Sequence, residues 1–306
     1  MPLRLPENLP AIELLKKEHI LITDSLNGMG QGQRPIRLVV LNLMPLKITT
    51  ETDIVRLLSH STFQIEVDWM KIKNHISKNT PAAHMDTFYK DFDALKDRHY
   101  DGMIITGAPV EKLDFHEVTY WDELTGIFEW ARTKVGSTLY ICWAAQAALY
   151  HYYGIPKYDL PSKQFGIFKH TVNSPFLPIF RGFDDEFFVP HSRHTEIRRE
   201  DILKVSELTL ISESDEAGVY MVMTREGRDF FVTGHSEYAP YALRDEYIRD
   251  TGKGLPITIP VNYYPNDDAS KPPVVRWRSH SNLLFTNWLN YYVCQEEISY
   301  DKSWSN

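Results

Sequence analysis

Cysteine is nearly absent from this chain: Cys142 and Cys294 are its only two among 306 residues. Two thiols cannot build a disulfide framework. The opening residues, MPLRLPENLP, hold no apolar stretch of the secretory kind. The expectation is a reducing, cytoplasmic setting, where a cysteine is catalytic or inert rather than crosslinked. Long apolar runs are missing as well. None approaches the roughly 18 residues that cross a bilayer, so no membrane partner is expected. Basic blocks are missing too: 33 Lys and Arg lie interspersed among 41 Asp and Glu, for a net charge of −8. Without a basic stripe, nucleic acid is not an expected partner. Walker and dinucleotide glycine fingerprints do not occur, nor do internal repeats.

What is present is an ordinary globular composition, 43% hydrophobic and 24% charged, enough to bury a substantial core. Apolar runs and helical patterns alternate through the first half. Residues 36–44, 63–70, 102–106 and 137–141 read as strands, and 50–58, 83–96, 120–132 and 143–153 as helices. A Thr with Asp three residues on opens the 50–58 helix. The second half is richer in strands, at 187–189, 209–212, 219–223 and 229–233. A helix over 239–251, a long loop over 254–276 and an aromatic-rich helix over 281–295 complete the chain. This alternation predicts an α/β fold with a mainly parallel sheet flanked by helices. A single domain over 1–306 is expected, with 1–35 as an N-terminal extension and 254–306 as a C-terminal loop and helix packed on it.

Three places carry candidate chemistry. Cys142 directly follows an apolar strand and precedes a helix, the arrangement of a nucleophile elbow. There the helix N-terminus favours thiolate, and the backbone N–H of Trp143 is placed to serve an oxyanion. On position alone, a small buried core residue is the alternative. His235 and Glu237 follow the strand at 229–233, and residues two apart in extended chain project to one side. The carboxylate can then orient the imidazole as a base for a thiol or hydroxyl. The alternative is a polar strand end in solvent. The loop 106–111, containing Gly107 and ending at Glu111, is a weaker signal, because Gly-Ala-Pro also makes ordinary turns. His191, His194 and Glu196 lack a third close ligand and a helical context, so no metal site is expected. Cys294 and the aromatics around Trp277, Phe285 and Trp288 read as structural.

The Cys elbow with a distant His-x-Glu resembles the class I glutamine amidotransferase-like (flavodoxin-like) fold. Its usual glycines flanking the Cys are replaced here by Tyr140 and Ala144, which weighs against glutamine hydrolysis. The segments NLMPLK (42–47), ITGAPVE (105–111), CWAAQAALYHYYG (142–154), PHSRHTE (190–196), GHSEY (234–238) and RWRSHSNLLFTNWLNYYVCQ (276–295) are similar to the homoserine O-acyltransferase family, built on that fold. The resemblance implies that Cys142 carries an acyl group from acyl-CoA as a thioester, with His235 as base and Glu237 orienting it. It implies Lys47 at the active-site rim near the oxyanion, and Lys163, Ser192 and Arg249 on the substrate, Arg249 as a two-donor grip on a carboxylate. L-homoserine would be the acceptor, in methionine synthesis, in a homodimer, with no bound cofactor. Glu111 after Gly-Ala-Pro implies the acetyl branch, using acetyl-CoA as co-substrate. Succinyl transfer is the alternative, and a hydrolase on the same fold or a non-enzymatic relic pocket are more distant ones.

Overall fold

The computed structural model describes residues 3–20, 34–73, 75, 77 and 79–294. Strand β1 (Leu3–Arg4) and helix α1 (Pro10–Lys17) precede β2 (Ile36–Leu41), α2 (Lys47–Leu58) and β3 (Ile65–Lys71). Next come α3 (Ala82–Phe88), β4 (Tyr89–Asp91), α4 (Phe92–Leu95), β5 (Tyr100–Ile105), α5 (Trp121–Lys134), β6 (Val135–Ile141) and α6 (Trp143–Tyr153). The second half runs through β7 (Tyr158–Val172), β8 (Glu186–Glu196), α7 (Arg199–Ile202), β9 (Leu208–Ser214), β10 (Gly218–Thr224) and β11 (Asp229–Val232). Helices α8 (Ala242–Gly252) and α9 (Arg278–Trp288) follow, and a π-helical turn over Leu289–Val293 extends α9. No helix among the described residues is long and apolar enough to cross a membrane.

All the strands among the described residues join one sheet in the order β1-β3-β2-β5-β6-β11-β10-β9-β7-β8, with β4 also on β3. Pairings from β1 through β11 are parallel, and those from β11 to β8 are antiparallel. The α/β fold with a mainly parallel sheet and a strand-rich second half is therefore what forms. Residues Leu38 to Leu41 of β2 are each 0% exposed, as a central strand covered on both faces must be. Leu38 and Val40 join the apolar cluster of α1, α2 and α9, whereas Val39 and Leu41 join that of α5 and α6. From β2 the chain first moves outward to β3 and later crosses to β5. This reversal opens a crevice at the C-terminal ends of β2 and β5, the usual ligand position in such sheets.

Several expectations give way to tertiary packing. Helix α2 begins at Lys47, with no side-chain cap. Thr50, read as its opening residue, instead bonds back through Oγ1 to the Leu46 carbonyl at 3.2 Å. The segment read as one helix over 83–96 is two short helices around β4, which pairs with β3. Tyr89 draws it there, its ring 6.0 Å from Trp69 and its hydroxyl 2.6 Å from the buried Glu51 carboxylate. The N-terminal segment enters the sheet and core, with Leu3, Leu9, Ala11 and Leu15 buried; its residues 1–2 and 21–33 lie outside the described residues. The last helix starts at Arg278, and Gln295, read as its end, also lies outside them.

The β7–β8 hairpin is the largest departure, since β7 was not read and β8 only at 187–189. β7 mixes exposed, intermediate and buried positions, and the buried positions of β8 beyond Pro190 are the polar His191, Arg193 and Thr195, so no long apolar run announces it. Pro190 is tolerated inside β8 because β8 is the edge of the sheet. The loop over 254–276 docks on β7, where Val261 exchanges hydrogen bonds with Phe165 and Ile167. Gly166 permits this approach: a Cβ there would lie 2.4 Å from the Val261 carbonyl oxygen and 2.6 Å from its nitrogen. We expect Gly166→Ala to cost about 1–3 kcal/mol through this backbone clash. Urea unfolding measures it, and an unchanged midpoint would mean that this docking contributes nothing.

Candidate functional site

Three parallel neighbours build the site. Ile105 on β5 lies beside Tyr140 on β6, and Ile141 on β6 lies beside Val232 on β11. Continuing each strand by one to three residues puts Gly107, Cys142 and His235 side by side above the sheet. The Cys142 N–H extends the β6–β11 ladder, donating to the Val232 carbonyl at 2.7 Å. Its backbone then turns sharply, at φ 52° and ψ −115°, to start α6. A non-glycine residue held at positive φ stores strain, and at a strand–helix elbow that strain presents the side chain. Gly107 crowds close to the sulfur's carbon: a Cβ added there would lie 3.3 Å from Cys142 Cβ.

His235 is fixed on both sides. Its N–H donates to the Pro190 carbonyl at 2.8 Å, and its Nδ1 lies 2.7 Å from Glu237 Oε1. Tyr238 stacks on the ring at 4.1 Å. With Nδ1 committed to Glu237, Nε2 is left for the cysteine, with which the imidazole also shares a hydrogen bond. Burial alone would push His235 down, but the negative charge of Cys142 and Glu237 and bonds to both hold it well above its ordinary value. This favours the imidazolium form of His235 beside the sulfur. Trp143, as the first residue of α6, presents one of the helix's unpaired amides beside the sulfur.

A cleft of about 540 Å³ opens over Cys142 and His235 and takes in Lys163, Ser192, Arg249 and Glu111. Glu111 Oε2 accepts the His194 backbone N–H at 3.0 Å, which ties the carboxylate of the 106–111 loop to β8. Glu246, missed in the sequence, organises the far wall. It accepts from Lys163 Nζ at 2.7 Å and from Ser192 Oγ at 2.9 Å. Its signal was there: Glu246, Arg249 and Asp250 recur at helical spacing, so α8 points all three one way. Asp250 holds Arg249 along one edge of the guanidinium, accepting from Nε through Oδ1 at 2.6 Å and from Nη2 through Oδ2 at 2.9 Å. The expected two-donor grip on a carboxylate is left to the other edge, which includes Nη1.

Lys47 departs from expectation. It does not line the cleft; it is 5% exposed, and its ammonium donates to the Asn42 carbonyl. Burial pushes it down to about 8, against the pull of Glu51. His191 is turned inward against His170, with their Nε2 atoms 3.1 Å apart, while His194 faces the cleft. Among the described residues no group of three His, Cys, Asp or Glu is arranged to hold a metal.

Sheet order and strand-end cysteine define an α/β protein of the class I glutamine amidotransferase-like fold. A glutamine amidotransferase from Thermotoga maritima shares it at a TM-score of 0.55 and 13% identity, covering 84% of this chain and 98% of that one. Another from Methylobacillus flagellatus gives 0.53 at 11% identity, covering 84% and 95%. At these identities the likeness is one of fold. The sequence is more specific: the chain belongs to the homoserine O-succinyltransferase family, whose model matches residues 2–299. It is 71% identical to a homoserine O-acetyltransferase of Parabacteroides distasonis, covering 97% of this chain and 96% of the relative. Another of that name in Brevibacillus brevis is 57% identical, covering 97% of both.

Crowding at Gly107 gives a direct test of the site's geometry. Gly107→Ala should slow alkylation of Cys142 by iodoacetamide roughly tenfold or more, because small displacements at a reacting centre cost that much. The melting temperature should move little. Alkylation at the wild-type rate would show that the sulfur is not confined as described.

Proposed function

We propose that this chain is a homoserine O-acetyltransferase that carries the acetyl group on Cys142. The observation that supports it most is the buried His235–Glu237 pair on a strained strand-end cysteine, in a cleft whose donor-side loop ends in Glu111. In the first half-reaction, Cys142 Sγ bonds to the acetyl carbonyl carbon of acetyl-CoA and the bond to the CoA sulfur breaks. The His235 imidazolium gives its proton to the departing CoA thiolate. In the second, His235 Nε2 takes the proton of the homoserine hydroxyl, the oxygen bonds to the carbonyl carbon, and Cys142 leaves as thiolate. The Trp143 N–H faces the oxyanion in both steps. Both ends of the acceptor find a complement: Lys163 and Arg249 suit its carboxylate, Glu246 and Asp250 its ammonium. No bound cofactor or metal enters these steps; acetyl-CoA is a co-substrate. Methionine synthesis, a cytoplasmic setting and a homodimer extend the reading by family resemblance alone.

Cys142→Ala should abolish transfer, and mixing the wild type with acetyl-CoA alone should leave one acetyl group on the Cys142 peptide, read by mass spectrometry. His235→Asn should lose about 10²–10⁴ in rate, as a missing general base does, and Glu237→Gln should lose less. An adduct elsewhere, or a fast Cys142→Ala enzyme, would sink the covalent route.

Donor choice turns on Glu111. The carboxylate of a succinyl group would enter beside it, and two like charges about 4 Å apart repel by on the order of 4 kcal/mol at an effective dielectric near 20. That corresponds to roughly a thousandfold in rate. The wild type should therefore prefer acetyl-CoA in kcat/KM, and Glu111→Gly should relax it toward succinyl-CoA. A wild type that prefers succinyl-CoA would overturn the donor assignment and leave the mechanism intact.

A further inference from the structure

Glu237 also borders a second cavity, of about 40 Å³, which shares only Tyr238 with the cleft. Its walls come from α2, the 236–240 loop and α9, and include Asp53, Arg56, Arg278 and Ser281. Glu237 is 7% exposed and Ser281 3%. Among the described residues, Glu237 Oε2 and Ser281 Oγ have no hydrogen-bond partner. A carboxylate oxygen deprived of both water and protein partners is strongly destabilised. The space exceeds the roughly 10–15 Å³ that one water needs, and its walls offer the two to four polar groups that hold one. Asp53, 6% exposed, lies on the same wall with Oδ1 on Arg56 Nη1 at 2.8 Å.

We propose that Asp53 is a positioning residue for the His235–Glu237 pair, joined to Glu237 Oε2 and Ser281 Oγ through one solvent molecule seated in this cavity. The inference rests on the acyl-transfer reading above. It gives the outer oxygen of Glu237 a partner, so the inner one stays aimed at His235 Nδ1.

Charge makes the arrangement sensitive to pH. Asp53 faces Arg56 from its own helix, Glu237 and the Ala239 N–H from the loop after β11, and Arg278 across the cavity; Glu18 reaches it through Arg56. Burial pushes Asp53 up to about 7, with Arg56 pulling down and Glu237 adding to the rise. Below that pH Asp53 is neutral and can donate into the cavity. Above it, a second negative charge stands behind Glu237 and strengthens the hold of His235 on its proton. Once Cys142 is acylated, its own charge is gone, and the imidazole must be neutral to accept the homoserine proton. Ionised Asp53 therefore opposes the second half-reaction.

The test is the pH dependence of that half-reaction, started from acetylated enzyme and measured by loss of the thioester on adding homoserine. Asp53→Asn keeps the shape and a donor but cannot ionise, so its apparent pKa should fall by roughly half a pH unit or more relative to wild type. Asp53→Leu should lower kcat about tenfold, with the KM for homoserine within twofold. A superimposable pH profile in Asp53→Asn overturns the proposal, as does a loss in Asp53→Leu confined to KM. If Asp53→Leu does not fold, the Asp53→Asn profile decides alone. Failure of the acyl-transfer reading itself is distinct, because the wild type would then form no Cys142 thioester.

Discussion

The parallel register of β6 against β11 governs everything at the site. Ile141 opposite Val232 means that one residue beyond β6 and three beyond β11 meet at the same height. Cys142 comes from one strand end and His235 from the next, with 92 residues of chain (142 to 235) looping between them as α6, the β7–β8 hairpin and the meander that follows. A slip of one residue would turn every side chain on β11 to the other face of the sheet. The slip is resisted because Phe230 and Phe231, on opposite faces of β11, each bury completely. Core packing thus sets the geometry of the site, and Cys142 is itself part of that core, in one apolar cluster with Ile141, Phe230 and Val232.

The hairpin that the sequence concealed has a supporting part in this. Pro190, on the edge strand, has no N–H to give to a ladder, but its carbonyl accepts the His235 N–H. Gly234 makes room, since a Cβ there would lie 2.6 Å from Val189. His235 is therefore held from three directions: β11 behind it, β8 beside it and the Glu237 carboxylate at Nδ1. A preorganised base loses little in reorganisation when it accepts a proton.

How legible was this in the sequence? The central strands and α6 were plain, because parallel strands covered on both faces are continuous apolar runs. Cys142, His235 and Glu237 could be picked out because the strand ends placed them, and the structure sets them within one constellation. Half-exposed antiparallel strands were not legible, since β7 mixes Pro161, Ser162 and Lys163 with a buried stretch only at 165–168. Nor was the inward turn of Lys47. Lys47 carries no sequence mark of burial, and its place depends on the Asn42 carbonyl and on Glu51 in the next turn. Glu246 shows the opposite case, a residue whose helical spacing to Arg249 and Asp250 was readable but whose partners Lys163 and Ser192 lie on strands not foreseen.

The charges facing the cleft bear on how an alcohol could compete with water for a thioester. Lys163 with Glu246 and Arg249 with Asp250 are already paired, so these four charges on the cleft wall offset one another. A zwitterionic acceptor adds one carboxylate and one ammonium to this set without changing its net charge. Each new charge lands among opposite charges whose positions are fixed by α8 and β7, so little reorganisation opposes binding. Water has no such handles and gains nothing from them. On the proposed reading, the selectivity for homoserine over hydrolysis comes from this paired wall, because binding there places the hydroxyl near His235, whereas a water molecule arrives with no fixed orientation. The cleft walls then act on the acceptor's position, and the strained elbow acts on the thioester's.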